Sequence, residues 1–81
     1  MKLIALNLPR DLSEKSLALL FKKIGDITSC NLIIDKYTGI SKGFGFVEMA
    51  LNHQGEIAIQ ELHGTKIGKN KIRVKQSTKQ L

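Results

Sequence analysis

The stretch Lys42-Gly43-Phe44-Gly45-Phe46-Val47-Glu48-Met49 constrains this chain more than any other. It holds two of the protein's three phenylalanines, at i and i+2, and Thr38-Gly39 and Ser41 bound it upstream. Side chains of a strand alternate between faces, so Phe44 and Phe46 share one face with Lys42 and Glu48 while Val47 and Met49 share the other. Val and Met make a good core face; Lys, Phe, Phe and Glu make a poor one. The rings are therefore expected on an open sheet face, where flat aromatics beside cations form a stacking platform for unstacked bases. Gly45, between them, is expected to leave room for a ligand to approach the backbone.

The rest of the chain supplies partners for that strand. Leu3 to Leu8 reads as a strand with Leu3 and Ala5 on one side and Ile4 and Leu6 on the other, ended by Pro9. A helix follows, capped by Asp11 or Ser13, with Leu17, Leu20, Phe21 and Ile24 as one apolar stripe and Gly25 at its close. Lys22 and Lys23 fall in its last turn, where they complement the helix dipole. A second strand, Ile27 to Ile34, puts Cys30, Leu32 and Ile34 on one face and Asn31 and Ile33 on the other. The polar loop Asp35-Lys36-Tyr37-Thr38-Gly39 then turns the chain into an antiparallel hairpin with the Phe44/Phe46 strand, Lys36 and Tyr37 projecting from its tip. Asn52 is expected to cap a weaker helix with Ala58, Ile59 and Leu62 inward, interrupted by Gly55 and ended by Gly64. Lys71 to Lys75 alternates, giving Ile72 and Val74 to the core and Lys71, Arg73 and Lys75 to the open face. The order is β-α-β-β-α-β, the split βαβ (ferredoxin-like) arrangement. It is an α+β sandwich whose four-stranded antiparallel sheet carries two helices on one face.

Charge sharpens the picture. The chain of 81 residues has a net charge of +6. Residues 66–81 hold Lys66, Lys69, Lys71, Arg73, Lys75 and Lys79 with no acid, so residues 1–65, with seven bases and seven acids, are neutral. A localised block of one sign attracts phosphate backbones. Lys79, beyond the last strand, should contribute less than Lys71, Arg73 or Lys75 because ordering a tail costs entropy.

Two motifs make the chain similar to the RNA recognition motif family along residues 1–81, read as a single domain. The family octamer, basic-Gly-aromatic-Gly/Ala-aromatic-aliphatic-x-aromatic, resembles Lys42 to Met49, with Met49 in place of the last aromatic. The family hexamer, aliphatic-aromatic-aliphatic-x-Asn-Leu, resembles Leu3-Ile4-Ala5-Leu6-Asn7-Leu8, with Ile4 where the family usually has a ring. The resemblance implies single-stranded RNA on the sheet, with Phe44 and Phe46 as base and sugar contacts and Lys42 on a phosphate or base. Ile4, Leu6, Asn7, Lys36, Lys71, Arg73 and Lys75 complete the expected RNA-binding set, and single-stranded DNA is a second candidate ligand. The competing expectation is a protein-binding or dimerisation module that uses Ile4, Leu6, Ile33, Phe44 and Phe46 as one apolar patch.

Other chemistries find little support. Gly64 to Asn70 has three residues between its glycines where a phosphate loop needs four, and Asn70 stands where Ser or Thr should hold magnesium. Gly43-x-Gly45 lacks the third glycine of a dinucleotide fingerprint and leads into a strand. Cys30, His53 and His63 lack metal-ligand spacing, so no metal or cofactor is expected. His63, before Gly64, reads as a helix-dipole partner and Cys30 as a buried core thiol. Acylphosphatases share the topology, but no nucleophile here pairs with a base, so no enzyme is expected. The N-terminal apolar run is too short for a signal segment and no stretch could span a bilayer, which points to a soluble, cytoplasmic protein, and a monomer is expected. A stand-alone bacterial RNA-binding protein and an excised domain both fit.

Overall fold

Asn7 shows how local chemistry sets the element boundaries. The computed structural model describes residues 1–78, so Lys79 and its expected minor role lie outside the described residues. Strand β1 (Lys2–Leu6) stops short of Leu8 because Asn7 leaves the sheet at φ 58, a left-handed backbone that Asn tolerates better than most residues. Leu8 nevertheless turns inward and is buried. Helix α1 (Glu14–Lys22) starts at Ser13, whose Oγ accepts the Ser16 backbone N–H at 3.1 Å. Leu17 and Phe21 of its stripe are fully buried, with Leu20 and Ile24 packed beside them.

Strands β2 (Ile27–Ile34) and β3 (Ser41–Met49) form the expected antiparallel hairpin. Asp35 closes its loop by accepting the Tyr37 and Thr38 N–H groups at 2.8 and 3.3 Å. Those two donors, the Tyr37 bond first, hold the Asp35 carboxyl below the usual carboxylate range, with Lys42 adding a smaller pull. A register shift between Leu32 and Ile34 breaks the alternation, so Ile34 does not join Leu32 inside but is 43% exposed. Cys30, expected in the core, is only half-buried. Burial, and after it the Glu14 charge, pushes its thiol up to about 11 from 9.0.

Helix α2 (Asn52–Leu62) begins one residue earlier than a cap at Asn52 would allow: Leu51 holds the cap position with no side-chain hydrogen bond. Gly55 has a packing reason, since a Cβ there would lie 2.6 Å from Met1 Sδ. The basic segment splits in two. β4 (Lys66–Ile67) and β5 (Asn70–Lys71) make a small hairpin of their own, and only β6 (Arg73–Gln76) joins the main sheet. Lys71 thus sits beside the sheet rather than in its last strand.

The main sheet has the order β2-β3-β1-β6, all antiparallel. Both helices cover one face, over a core that includes Leu3, Ala5, Phe21, Val47, Met49, Ile72 and Val74. Each outer edge is capped from the helix side. Glu14 Oε2 accepts the Leu32 N–H of β2 at 2.9 Å, and His63 Nδ1 accepts the Val74 N–H of β6 at 3.1 Å. His63 thus meets β6 as a hydrogen-bond acceptor through Nδ1, a contact that the helix-dipole reading did not include.

Candidate nucleic-acid interface

The uncovered face is organised by register. Ile4 lies between Phe46 on one side and Lys75 on the other, and Asn31 flanks Phe46, giving a row Asn31, Phe46, Ile4, Lys75 across the sheet. At strand spacings of about 4.8 Å this row is roughly 14 Å long. Leu6 faces Arg73 one step along. Lys2 and Ser29 both pair with Glu48 at the other end, so the acid there is matched by Lys2, and the excess of bases on this face lies at Arg73, Lys75 and Lys42.

The two rings differ. Phe44 is half-exposed, whereas Phe46 is only 8% exposed although it lies outside the core between sheet and helices. Its cover comes from the open face itself: cross-strand Ile4 and Asn31, and the ring of Phe44 at a centroid distance of 6.2 Å with the planes at 81°. Such an edge-to-face pair cannot offer two coplanar platforms. A base flat on Phe44 would meet Phe46 edge-on, which suits a ribose or a base edge.

Gly45 does not serve the ligand side. A Cβ there would lie 2.8 Å from the Asn31 carbonyl oxygen and 2.9 Å from Leu17 Cδ2, so its missing side chain admits α1 and β2 instead. Gly43 adopts φ +85 and is buried. Beside it, Leu6, Asn7, Leu8, Lys42, Phe44 and Asn70, with Arg10, line a shallow cleft of about 380 Å³.

The remaining expected residues are placed as follows. Arg73 and Lys75 are exposed on the open face of β6, while Lys36 is exposed at the hairpin tip beside Tyr37. Asn7 Nδ2 donates to the Lys71 carbonyl at 2.9 Å, and Asn70 Nδ2 donates back to the Asn7 carbonyl at 3.2 Å. That clasp ties the β4–β5 hairpin to the end of β1, so the amide nitrogen of Asn7 is engaged within the fold. Arg10 was absent from the expected set: nothing in the periodicity of a loop singles it out, and only the packing on Gly43 does.

Among the described residues no cluster of His, Cys, Asp and Glu could hold a metal ion, and no helix is long and apolar enough to cross a membrane. Residues 6–73 match the RNA recognition motif family. The 29 kDa ribonucleoprotein B, chloroplastic, of Nicotiana sylvestris is 40% identical over 74 residues, 91% of this chain and 25% of that protein. Cleavage and termination factor 1 of Schizosaccharomyces pombe is 34% identical over 68 residues, 84% of this chain and 19% of that protein. The chain thus spans about a quarter or less of these relatives. Among solved structures, RNA binding protein PG1 superposes with a TM-score of 0.94 at 34% identity, covering 100% of this chain and 98% of that one. A Sxl-lethal protein/RNA complex gives a TM-score of 0.93 at 30% identity, over 98% of this chain and 47% of that one. The family octamer on β3, the hexamer on β1 and the four-stranded sheet with one open face agree with these matches, and the chain belongs to the RNA recognition motif family.

Proposed function

We propose that this chain binds single-stranded RNA on the open sheet face, with a base stacked on Phe44, a ribose or base edge against Phe46, and phosphates drawn by Lys42, Arg73 and Lys75. The observation that carries this is the half-exposed Phe44 ring beside the Lys42 cleft, on a face bordered by bases of β6. Ile4 and Leu6 supply apolar contact, and Lys36 reaches a strand that runs past the hairpin tip. Asn7 acts by holding the β4–β5 hairpin and, with it, Lys71. Single-stranded DNA binds by the same stacking and phosphate contacts, more weakly for want of the 2′-hydroxyl. Residues 1–81 work as one monomeric, non-catalytic binding domain in a cytoplasmic setting.

The test is a titration of labelled, mixed-sequence single-stranded RNA at several salt concentrations, with the mass of the free protein measured in parallel. Binding should weaken as salt rises. Arg73→Gln and Lys75→Gln should each flatten the log-log slope by up to about 0.7, the value expected for one phosphate contact on a single strand. Salt-independent binding, or a dimer that RNA dissociates, would favour the protein-interaction alternative.

A further inference from the structure

The Phe44 cleft has a wall that none of the expected site residues supplies. Arg10, between β1 and α1, lines it together with Lys42, Gly43 and Phe44. A Cβ on Gly43 would lie 3.1 Å from Arg10 Nε and 3.8 Å from its Cδ, so the guanidinium end rests on bare glycine backbone. No hydrogen bond joins the two: the Gly43 N–H donates to Ser41 Oγ at 3.0 Å, and the Gly43 carbonyl accepts the Leu8 N–H at 2.8 Å. Arg10 is exposed, and among the described residues its side chain is in no hydrogen bond or ion pair. Asp11, its acidic neighbour in sequence, lines an adjoining cleft that Arg10 also borders, with Lys69 across it, and forms no ion pair with Arg10. A guanidinium is permanently charged and presents five donors in a rigid fork suited to phosphate. Held by packing against a surface that does not use its donors, next to a half-exposed ring and a second cation, it is prepared for an anion from outside.

Resting on the RNA-binding function proposed above, we infer that Arg10 and Lys42 grip one phosphate of the bound strand, that of the nucleotide stacked on Phe44. The β1–α1 loop is thereby part of the binding surface, and a side chain at Gly43, already disfavoured by its φ of +85, would also press on the guanidinium.

The test compares the unchanged chain with Arg10→Gln, Arg10→Lys and Phe44→Ala, using a labelled single-stranded RNA of about 10 nucleotides across a salt series. Arg10→Gln should weaken binding by roughly threefold to tenfold and flatten the salt slope by up to about 0.7. Arg10→Lys should keep the slope, since a point charge suffices for that part, and melting temperatures should not move. Unchanged affinity and slope in Arg10→Gln, with Phe44→Ala still impaired, would overturn the phosphate grip and leave the RNA-binding function standing. A loss of affinity at unchanged slope would also overturn it, by showing a base contact, as would a slope in Arg10→Lys as flat as in Arg10→Gln. Failure of the unchanged chain to bind RNA would sink the underlying function instead.

Discussion

Strand alternation alone treats Phe44 and Phe46 as equivalent, and the structure separates them in a way that predicts opposite signatures on truncation. Phe46 is 8% exposed and packs against Phe44, Ile4 and Asn31, so Phe46→Ala uncovers neighbouring apolar surface and removes an edge-to-face contact. Burying a Phe side chain is worth about 1.5 to 3 kcal/mol and an aromatic pair about 0.5 to 1.5 more, and because relaxation on an open face recovers part of this we take about 2 to 3. For a domain of this size that corresponds to a fall in melting temperature of roughly 10 to 20 °C. Phe44 is half-exposed, so Phe44→Ala should forfeit mainly the ring pair, about 1 kcal/mol or less, with a shift of only a few degrees. Its cost appears in binding: loss of a base stack is worth about 1 to 3 kcal/mol. The assay is thermal unfolding of both variants by circular dichroism, paired with RNA titration at a temperature where each is folded. Equal melting temperatures for the two variants would refute the distinction, and so would a Phe44→Ala variant that melts early yet binds RNA normally.

Other sites give sharper single tests. Ile4 is half-buried on the open face beside Phe46 and Lys75, so Ile4→Phe should add part of a stack, about 0.5 to 1.5 kcal/mol, and tighten RNA binding by up to roughly tenfold at unchanged melting temperature. The Cys30 thiol sits at about 11, so it should alkylate slowly at pH 8 compared with the unfolded chain. Because that value is raised on folding, its contribution to stability is fully present below the ordinary 9.0 and is lost as pH rises through about 11, a loss that Cys30→Ala should abolish in alkaline denaturation curves. His63→Ala should cost about 0.5 to 1.5 kcal/mol in urea unfolding by stripping the Val74 N–H of its acceptor, and an unchanged midpoint would mean water replaces it without loss.

How much was legible beforehand follows from what carries each feature. Periodicity carried the sheet faces, and Leu3, Ala5, Val47, Met49, Ile72 and Val74 all lie inside as alternation requires. Cap chemistry carried Ser13 but failed at Asn52, because the backbone of Leu51, not a polar side chain, takes the cap. Gly45 misled because a strand glycine signals close approach without saying from which side; only Leu17 and the Asn31 carbonyl show that it is the helix side. The β4–β5 hairpin had a readable cue, a two-residue turn with Gly68 first, now seen at φ 59. Arg10 had none, since its place depends on a contact with Gly43 across 33 positions of the chain. The layout of the candidate site was therefore readable where it rides on strand alternation and hidden where loops bring residues in.

The capped edges bear on which surface a partner can use. An open sheet edge binds extended peptides by strand addition, through unpaired N–H and C=O groups. On β2 the Glu14 carboxylate occupies the Leu32 N–H, and on β6 the His63 imidazole occupies the Val74 N–H, so each edge has one of its outward donors already taken. An added strand would have to displace a charge-assisted bond on one side and leave a ring nitrogen unpaired on the other, each costing about 1 to 3 kcal/mol. Both caps come from residues at helix ends, Glu14 in the first turn of α1 and His63 just past α2, so the elements that cover one face also blunt each edge at one donor. The second face is left open, and beside Asn31 and Glu48 it presents rings, aliphatics and cations. A peptide backbone entering there finds few acceptors or donors of the sheet to use, whereas the RNA strand proposed above would bring flat bases for the rings and phosphates for the cations.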